Sequence, residues 1–137
     1  MSDSNIERLR RGYEAVDRGD VEAVRELFDP DAELFDRPEV PDATSYHGWE
    51  GMAATVRDSQ ETFENFRFGP ERFFEKDDQI VVILTMTGRG RASGVPVEER
   101  IAHLWTMRGG RAVELRAFTD PADALAAAGL PRALADE

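Results

Sequence analysis

The sequence predicts an α+β domain: helices gathered on one face of a curved antiparallel sheet of about five strands. Three observations carry this. Apolar residues recur at helical spacing near the N-terminus, and runs rich in Val, Ile, Thr and aromatics, broken by turn pairs, fill the second half. Helices followed by consecutive hairpin strands make up the α+β order, in which the helices cover one side of the sheet and enclose an apolar interior.

Ser4-Asn5-Ile6-Glu7 fits a capping box, and Ile6, Leu9, Tyr13 and Val16 follow at helical spacing until Arg18-Gly19, which predicts a helix over about 5–18. Asp20 can cap a second, short helix with Val21, Val24, Leu27 and Phe28 on one stripe, ended by Asp29-Pro30. Ala32 to Asp36 reads as a short strand. The segment after it, to about Tyr46, reads as a loop because Pro38 and Pro41 cannot pair regularly in a sheet. Trp49, Met52, Ala53, Val56 and Phe63 favour a third helix from Gly48 to about Asn65, interrupted by a polar stretch at 57–61.

Phe66 to Glu75, Gln79 to Arg91 and Val95 to Arg108 are strand-like, separated by Asp77-Asp78 and Ser93-Gly94. Gly109-Gly110 makes a tight hairpin into Ala112 to Thr119, so an antiparallel meander results. Asp120 caps and Pro121 opens a last Ala-rich helix, closed by Gly129 and Pro131. Alternation puts Ile101, His103, Trp105 and Met107 on one face of the strand near 100. In the final strand Val113, Leu115, Ala117 and Thr119 oppose Glu114, Arg116 and Phe118. That second face is mixed in polarity and suits a homodimer interface.

The length of 137 residues fits one domain, with a core over about 6–130, and eight Phe, two Trp and two Tyr supply large surface to bury. With 28 acidic against 17 basic residues the net charge is −11 and no basic cluster offsets it, which argues against nucleic acid and anionic membrane as partners. There is no cysteine, no apolar leader and no membrane-length apolar run, and the expectation is a cytoplasmic protein. No metal site is expected, because His47 and His103 stand 56 positions apart without a supporting motif. Gly88-Arg89-Gly90-Arg91 and Gly109-Gly110-Arg111 suit hairpin ends rather than phosphate loops, and Arg8-Leu9-Arg10-Arg11 reads as a solvated helix face.

Two residues stand out chemically. A carboxylate beside apolar walls is costly to ionise and can exchange protons near neutral pH, which makes Asp36 a candidate base; alternatively it caps the turn Asp36-Arg37-Pro38 or pairs with Arg37. His103, flanked on its face by Ile101 and Trp105, could donate to a developing oxyanion or shuttle a proton; alternatively it is a core histidine satisfied by hydrogen bonds. If both point inward they could share a proton or a water. Tyr13, Leu34, Trp49, Met52, Val56, Leu84, Met86, Ile101, Trp105 and Leu115 are candidates for the wall around them, with Tyr46 and His47 near the mouth.

Four stretches carry a resemblance: the helix ending in Arg18-Gly19-Asp20; Leu27-Phe28-Asp29-Pro30-Asp31-Ala32-Glu33; Tyr46-His47-Gly48-Trp49-Glu50-Gly51; and Ala102 through Arg111, His-Leu-Trp-Thr-Met-Arg-Gly-Gly within it. Together, from about Ile6 to Leu130, the chain is similar to the SnoaL-like branch of the nuclear transport factor 2-like superfamily. The resemblance implies a cone, with the sheet curled around the first and third helices and a pocket open near 37–46. It also implies that Asp36 matches the base of the ketosteroid isomerases and His103 the place of their second Asp. Their Tyr falls on Gly12, with Tyr13 about 100° around the helix, so steroid isomerisation is not implied. Expected activities are those of a cofactor-independent cyclase, isomerase or dehydratase acting on a small apolar carbonyl compound. The alternative is a binding module for a small hydrophobic molecule or a dimeric scaffold, since the fold alone does not fix function.

Overall fold

A computed structural model describes residues 4–37 and 45–136 of the chain. The loop predicted around Pro38 and Pro41 lies largely outside the described residues.

The first helix, α1 (Asn5–Arg18), starts where its cap dictates: Ser4 Oγ accepts from the Glu7 amide at 3.1 Å, and Gly19 closes it with a left-handed φ of 70°. Asp20 then caps α2 (Val21–Leu27) by accepting from the Ala23 amide at 3.2 Å. The helix ends one residue sooner than its stripe predicts, because Phe28 already opens strand β1 (Phe28–Phe35). Pro30 is tolerated there because the pairing of β1 with its neighbour is irregular between Phe28 and Glu33, where no ladder N–H is required of it.

A three-residue strand, β2 (Ser45–His47), precedes α3 (Gly48–Thr62). Helix α3 is uninterrupted, since Arg57, Asp58, Gln60 and Glu61 of the polar stretch simply form its exposed side. The rest is β3 (Phe63–Lys76), β4 (Gln79–Gly90), β5 (Pro96–Arg108), β6 (Arg111–Phe118), α4 (Pro121–Ala127) and a short 3-10 helix (Arg132–Asp136).

The strands form one curved, unclosed sheet in the order β2-β1-β6-β5-β4-β3. It has six strands rather than about five, because Ser45–His47 adds an edge strand antiparallel to β1. It is also mixed rather than wholly antiparallel. Strands β3 to β6 are the predicted meander, but β1 runs parallel to β6, as it can when α3 and four strands, β2 to β5, intervene between them.

The sheet has a separate apolar cluster on each face. On the inner face Ile80, Val82, Leu84, Ile101, Trp105 and Met107 pack with Leu9, Tyr13, Met52 and Val56 of α1 and α3. On the outer face Val81, Ile83, Ala102 and Leu104 pack under Ala124 and Leu125 of α4. No helix among the described residues is long and apolar enough to cross a membrane.

Candidate functional site

Between the inner face and helices α1 to α3 lies a cavity of about 340 Å³. Part of its lining is organised by three residues from two elements. Trp105 and His103 are same-face neighbours on β5, and Tyr13 of α1 comes down over them. Trp105 Nε1 donates to the Tyr13 hydroxyl at 2.9 Å, and that hydroxyl lies 2.7 Å from His103 Nδ1. All three side chains are buried, with Tyr13 3%, Trp105 4% and His103 6% exposed.

This chain of contacts fixes the histidine tautomer. An indole N–H can only donate, so the Tyr13 oxygen is an acceptor from Trp105 and its single proton is free for one other partner. Were His103 Nδ1 to carry a proton and donate it to the hydroxyl, the tyrosine proton would be left without an acceptor in a buried site, which is costly. The hydroxyl therefore donates to Nδ1, and His103 carries its proton on Nε2. Nε2 has no partner among the described residues, and His103 lines the cavity.

The imidazole is also held neutral: burial, aided by the positive charge of Arg37, lowers its pKa from 6.5 to about 3. Burial likewise pushes the Tyr13 phenol far above its ordinary value, although the Trp105 hydrogen bond opposes this. Neither group ionises at neutral pH. The site thus offers a neutral N–H donor in the lining of a mostly apolar cavity.

Asp36, just past the end of β1, also lines the cavity, yet it is exposed, and its carboxylate accepts from the Arg37 amide at 2.7 Å. It is not hydrogen-bonded to His103, whose partner is Tyr13. Arg37 lines the wall as well, with Nη1 2.7 Å from Glu99 Oε1 on β5. The surface pairing of Asp36 with the Arg37 side chain is thus replaced by a bridge from the end of β1 to β5.

Among the predicted wall residues, Leu34, Tyr46, Met52 and Val56 line the cavity from β1, β2 and α3, and Met86, Ile101 and Leu115 line it from the sheet. Leu84 is fully buried but packs in the inner core without lining the cavity. Trp49 stands apart: its indole N–H donates to the Phe28 carbonyl at 2.9 Å and the Arg25 guanidinium lies 4.1 Å from its ring centre. His47 is exposed and does not line the cavity.

Sequence reasoning missed Arg37, Asp58 and an aromatic row on β3. Phe63, Phe66 and Phe68 all line the cavity, with Phe66 and Phe68 4.9 Å apart and Phe68 edge-on to His103 at 5.1 Å. Simple alternation puts Phe63 and Phe66 on opposite faces. A positive φ of 53° at Asn65 and a register shift between Glu64 and Arg67 bring them to the same side. The alternation of Phe66 with Phe68 was a usable signal.

Gly12, the position matched to a family tyrosine, is buried where α1 approaches α2, and a Cβ there would lie 2.6 Å from Leu27 Cδ2. A larger side chain at Gly12 requires the Leu27 side chain to move aside. The tyrosine of this site is Tyr13. Among the described residues no group of three or more His, Asp or Glu side chains is placed to hold a metal ion.

The SnoaL-like domain family matches residues 9–115. Solved structures share the fold over nearly the whole chain. An NTF2-like protein of unknown function from Burkholderia pseudomallei K96243 is 25% identical, with 93% of this chain and 98% of that chain covered and a TM-score of 0.76. TerC, co-crystallised with polyporic acid, is 25% identical over 85% of this chain and 91% of its own, with a TM-score of 0.74. A hypothetical protein with ketosteroid isomerase-like fold from Catenulispora acidiphila DSM 44928, in complex with trimethylamine, is similar in fold at 18% identity, with coverage of 92% and 95% and a TM-score of 0.75. No curated protein matches the chain.

Proposed function

We propose the following from the premise that the chain belongs to the SnoaL-like domain family: the cavity takes up a small, mostly apolar carbonyl compound and moves a proton on it, as a cyclase, isomerase or dehydratase does, without a cofactor. The observation that carries this reading is the Trp105-Tyr13-His103 chain, which leaves the His103 Nε2–H as a fixed donor in an apolar cavity. A donor aimed where charge develops stabilises an enolate oxygen without itself giving up a proton, and low polarity around it strengthens the bond. Asp36 is the base that takes the proton from the carbon next to the carbonyl, and its exposure lets it exchange that proton with water. The proton returns to another carbon of the same molecule in an isomerase, or to the same one in simple exchange. Uptake of a small organic compound is supported by the relative co-crystallised with polyporic acid.

The test is exchange of α-protons for deuterium in a panel of aryl ketones, followed by proton NMR in heavy water. The intact chain is expected to catalyse exchange. Asp36→Asn should slow it by a factor of about 100 or more, as loss of a general base does, and His103→Phe by about 100. Unchanged rates in both variants would remove the catalytic reading and leave a module that binds a small hydrophobic molecule.

A further inference from the structure

We infer that the substrate is an anion: an apolar carbonyl compound bearing a carboxylate, with its carbonyl on His103 and its carboxylate on Arg37. This names the substrate class for the reaction proposed above and rests on that reading.

The argument starts from which polar groups face the cavity with capacity left. The hydroxyls of Thr55 and Ser59 on α3 donate to the carbonyls of Met52 and Thr55, and the Tyr13 hydroxyl is engaged on both sides. Among the lining donors His103 Nε2–H, the Tyr46 hydroxyl and the guanidinium of Arg37 remain, and of these only Arg37 is charged. Glu99 Oε1 is the only side-chain partner of Arg37 among the described residues, and it takes Nη1 alone. A guanidinium has five N–H donors, so an edge that can grip a carboxylate with two parallel bonds stays open.

The spacing suits one molecule. Glu99, Ile101 and His103 are successive residues of one face of β5, each about 7 Å from the next. Arg37 lines the same cavity and is held at Glu99, which stands two positions along that face from His103, about 14 Å by strand spacing, with apolar Ile101 the position between. Its charge acts on His103, which places the two within one electrostatic neighbourhood.

The surroundings make the assignment selective. Asp36 and Asp58 line the cavity as exposed carboxylates and the whole chain carries −11, so among the described lining residues Arg37 is the one side chain that attracts an anion. Glu99 competes with such a ligand for the same cation. The two members of the bridge therefore act on affinity with opposite sign, which a merely structural salt bridge would not do.

Calorimetric titration with 4-acetylbenzoate and with its methyl ester tests this, because the pair differs in charge while sharing the ketone and the ring. The intact chain is expected to bind the carboxylate about tenfold more tightly than the ester, the worth of one charge-assisted contact. Arg37→Gln should abolish the preference, Arg37→Lys should keep part of it, and Glu99→Gln should enlarge it. Equal binding of the two probes, a preference that survives Arg37→Gln, or no binding of either at millimolar concentration overturns the inference. The underlying reading fails separately: if His103→Phe binds the ester as well as the intact chain does, His103 holds no carbonyl, whatever Arg37 contributes.

Discussion

The Tyr13 hydroxyl has one proton to give, and its direction decides what His103 can do. Replacing Tyr13 by Phe leaves the Trp105 indole N–H and His103 Nδ1 without their partner in a buried site, at a cost of about 1–3 kcal/mol for each group. It also releases the histidine to hold its proton on either nitrogen. Nitrogen-15 NMR of the ring should therefore find the Nε2–H form in the intact chain and a mixture in Tyr13→Phe; the same single tautomer in both would refute the relay.

The same residue carries a pH signature. His103 has a folded pKa of about 3 against an ordinary 6.5. Above pH 6.5 it is neutral in both states and its contribution is complete. As pH falls from there toward 3 only the unfolded chain takes up the proton, so stability drops by about 1.4 kcal/mol per unit. Urea titrations between pH 7 and 4 should register that slope, and His103→Phe should lack it. The sequence made His103 legible through strand alternation, and Tyr13 through its helical stripe. Their bond to one another was not legible, since adjacent helix positions differ by about 100° and both Gly12 and Tyr13 are buried.

At the scale of elements, position is set where helices meet strands. Gly48 opens α3 with a φ of +69°, and a Cβ there would lie 2.8 Å from the Pro30 backbone carbonyl of β1. Both the strand and the helix that wall the cavity are thus pinned at one point without room for a side chain. Gly48→Ala should cost about 1–3 kcal/mol from the backbone strain alone, with the clash adding to it. Thermal unfolding checks this; an unchanged midpoint would mean that α3 can shift freely on β1.

Local signals of this kind, caps, glycines and turn pairs, were readable in the sequence, and they place α1, α2, α4 and the β5–β6 hairpin closely. What alternation cannot reveal is where it breaks. The bend at Asn65 turns Phe63 and Phe66 to one side, and a register shift between Thr106 and Met107 lets Ala112 and Leu115 both face inward despite their odd spacing. The parallel pairing of β1 with β6 was equally hidden, because it joins segments separated by most of the chain and no local motif announces it.

Across the whole molecule the sheet separates two jobs. The cavity occupies its inner side. The outer side is covered in part by α4 and the C-terminal 3-10 helix, which Arg100 and Arg72 fasten by donating to the Ala135 and Leu134 carbonyls at 2.9 and 3.3 Å. A homodimer through the outer face remains a proposal, confined to positions this cover leaves, such as Thr85 and Thr87; light scattering that finds only 15.4 kDa at micromolar concentration removes it.

The separation of faces makes a sharper prediction. Leu125 is fully buried in the outer cluster with Val81, Ile83 and Leu104 and lines no part of the cavity. Leu125→Ala should therefore destabilise the fold by about 2–5 kcal/mol, the transfer and cavity cost of a buried leucine. Below the unfolding transition, affinity for 4-acetylbenzoate should stay within twofold, since no residue touching the cavity changes. Urea unfolding and calorimetry on the same samples give the two numbers. If affinity falls in step with stability, the packing of α4 is transmitted through β4 and β5 to His103, and the outer face belongs to the site.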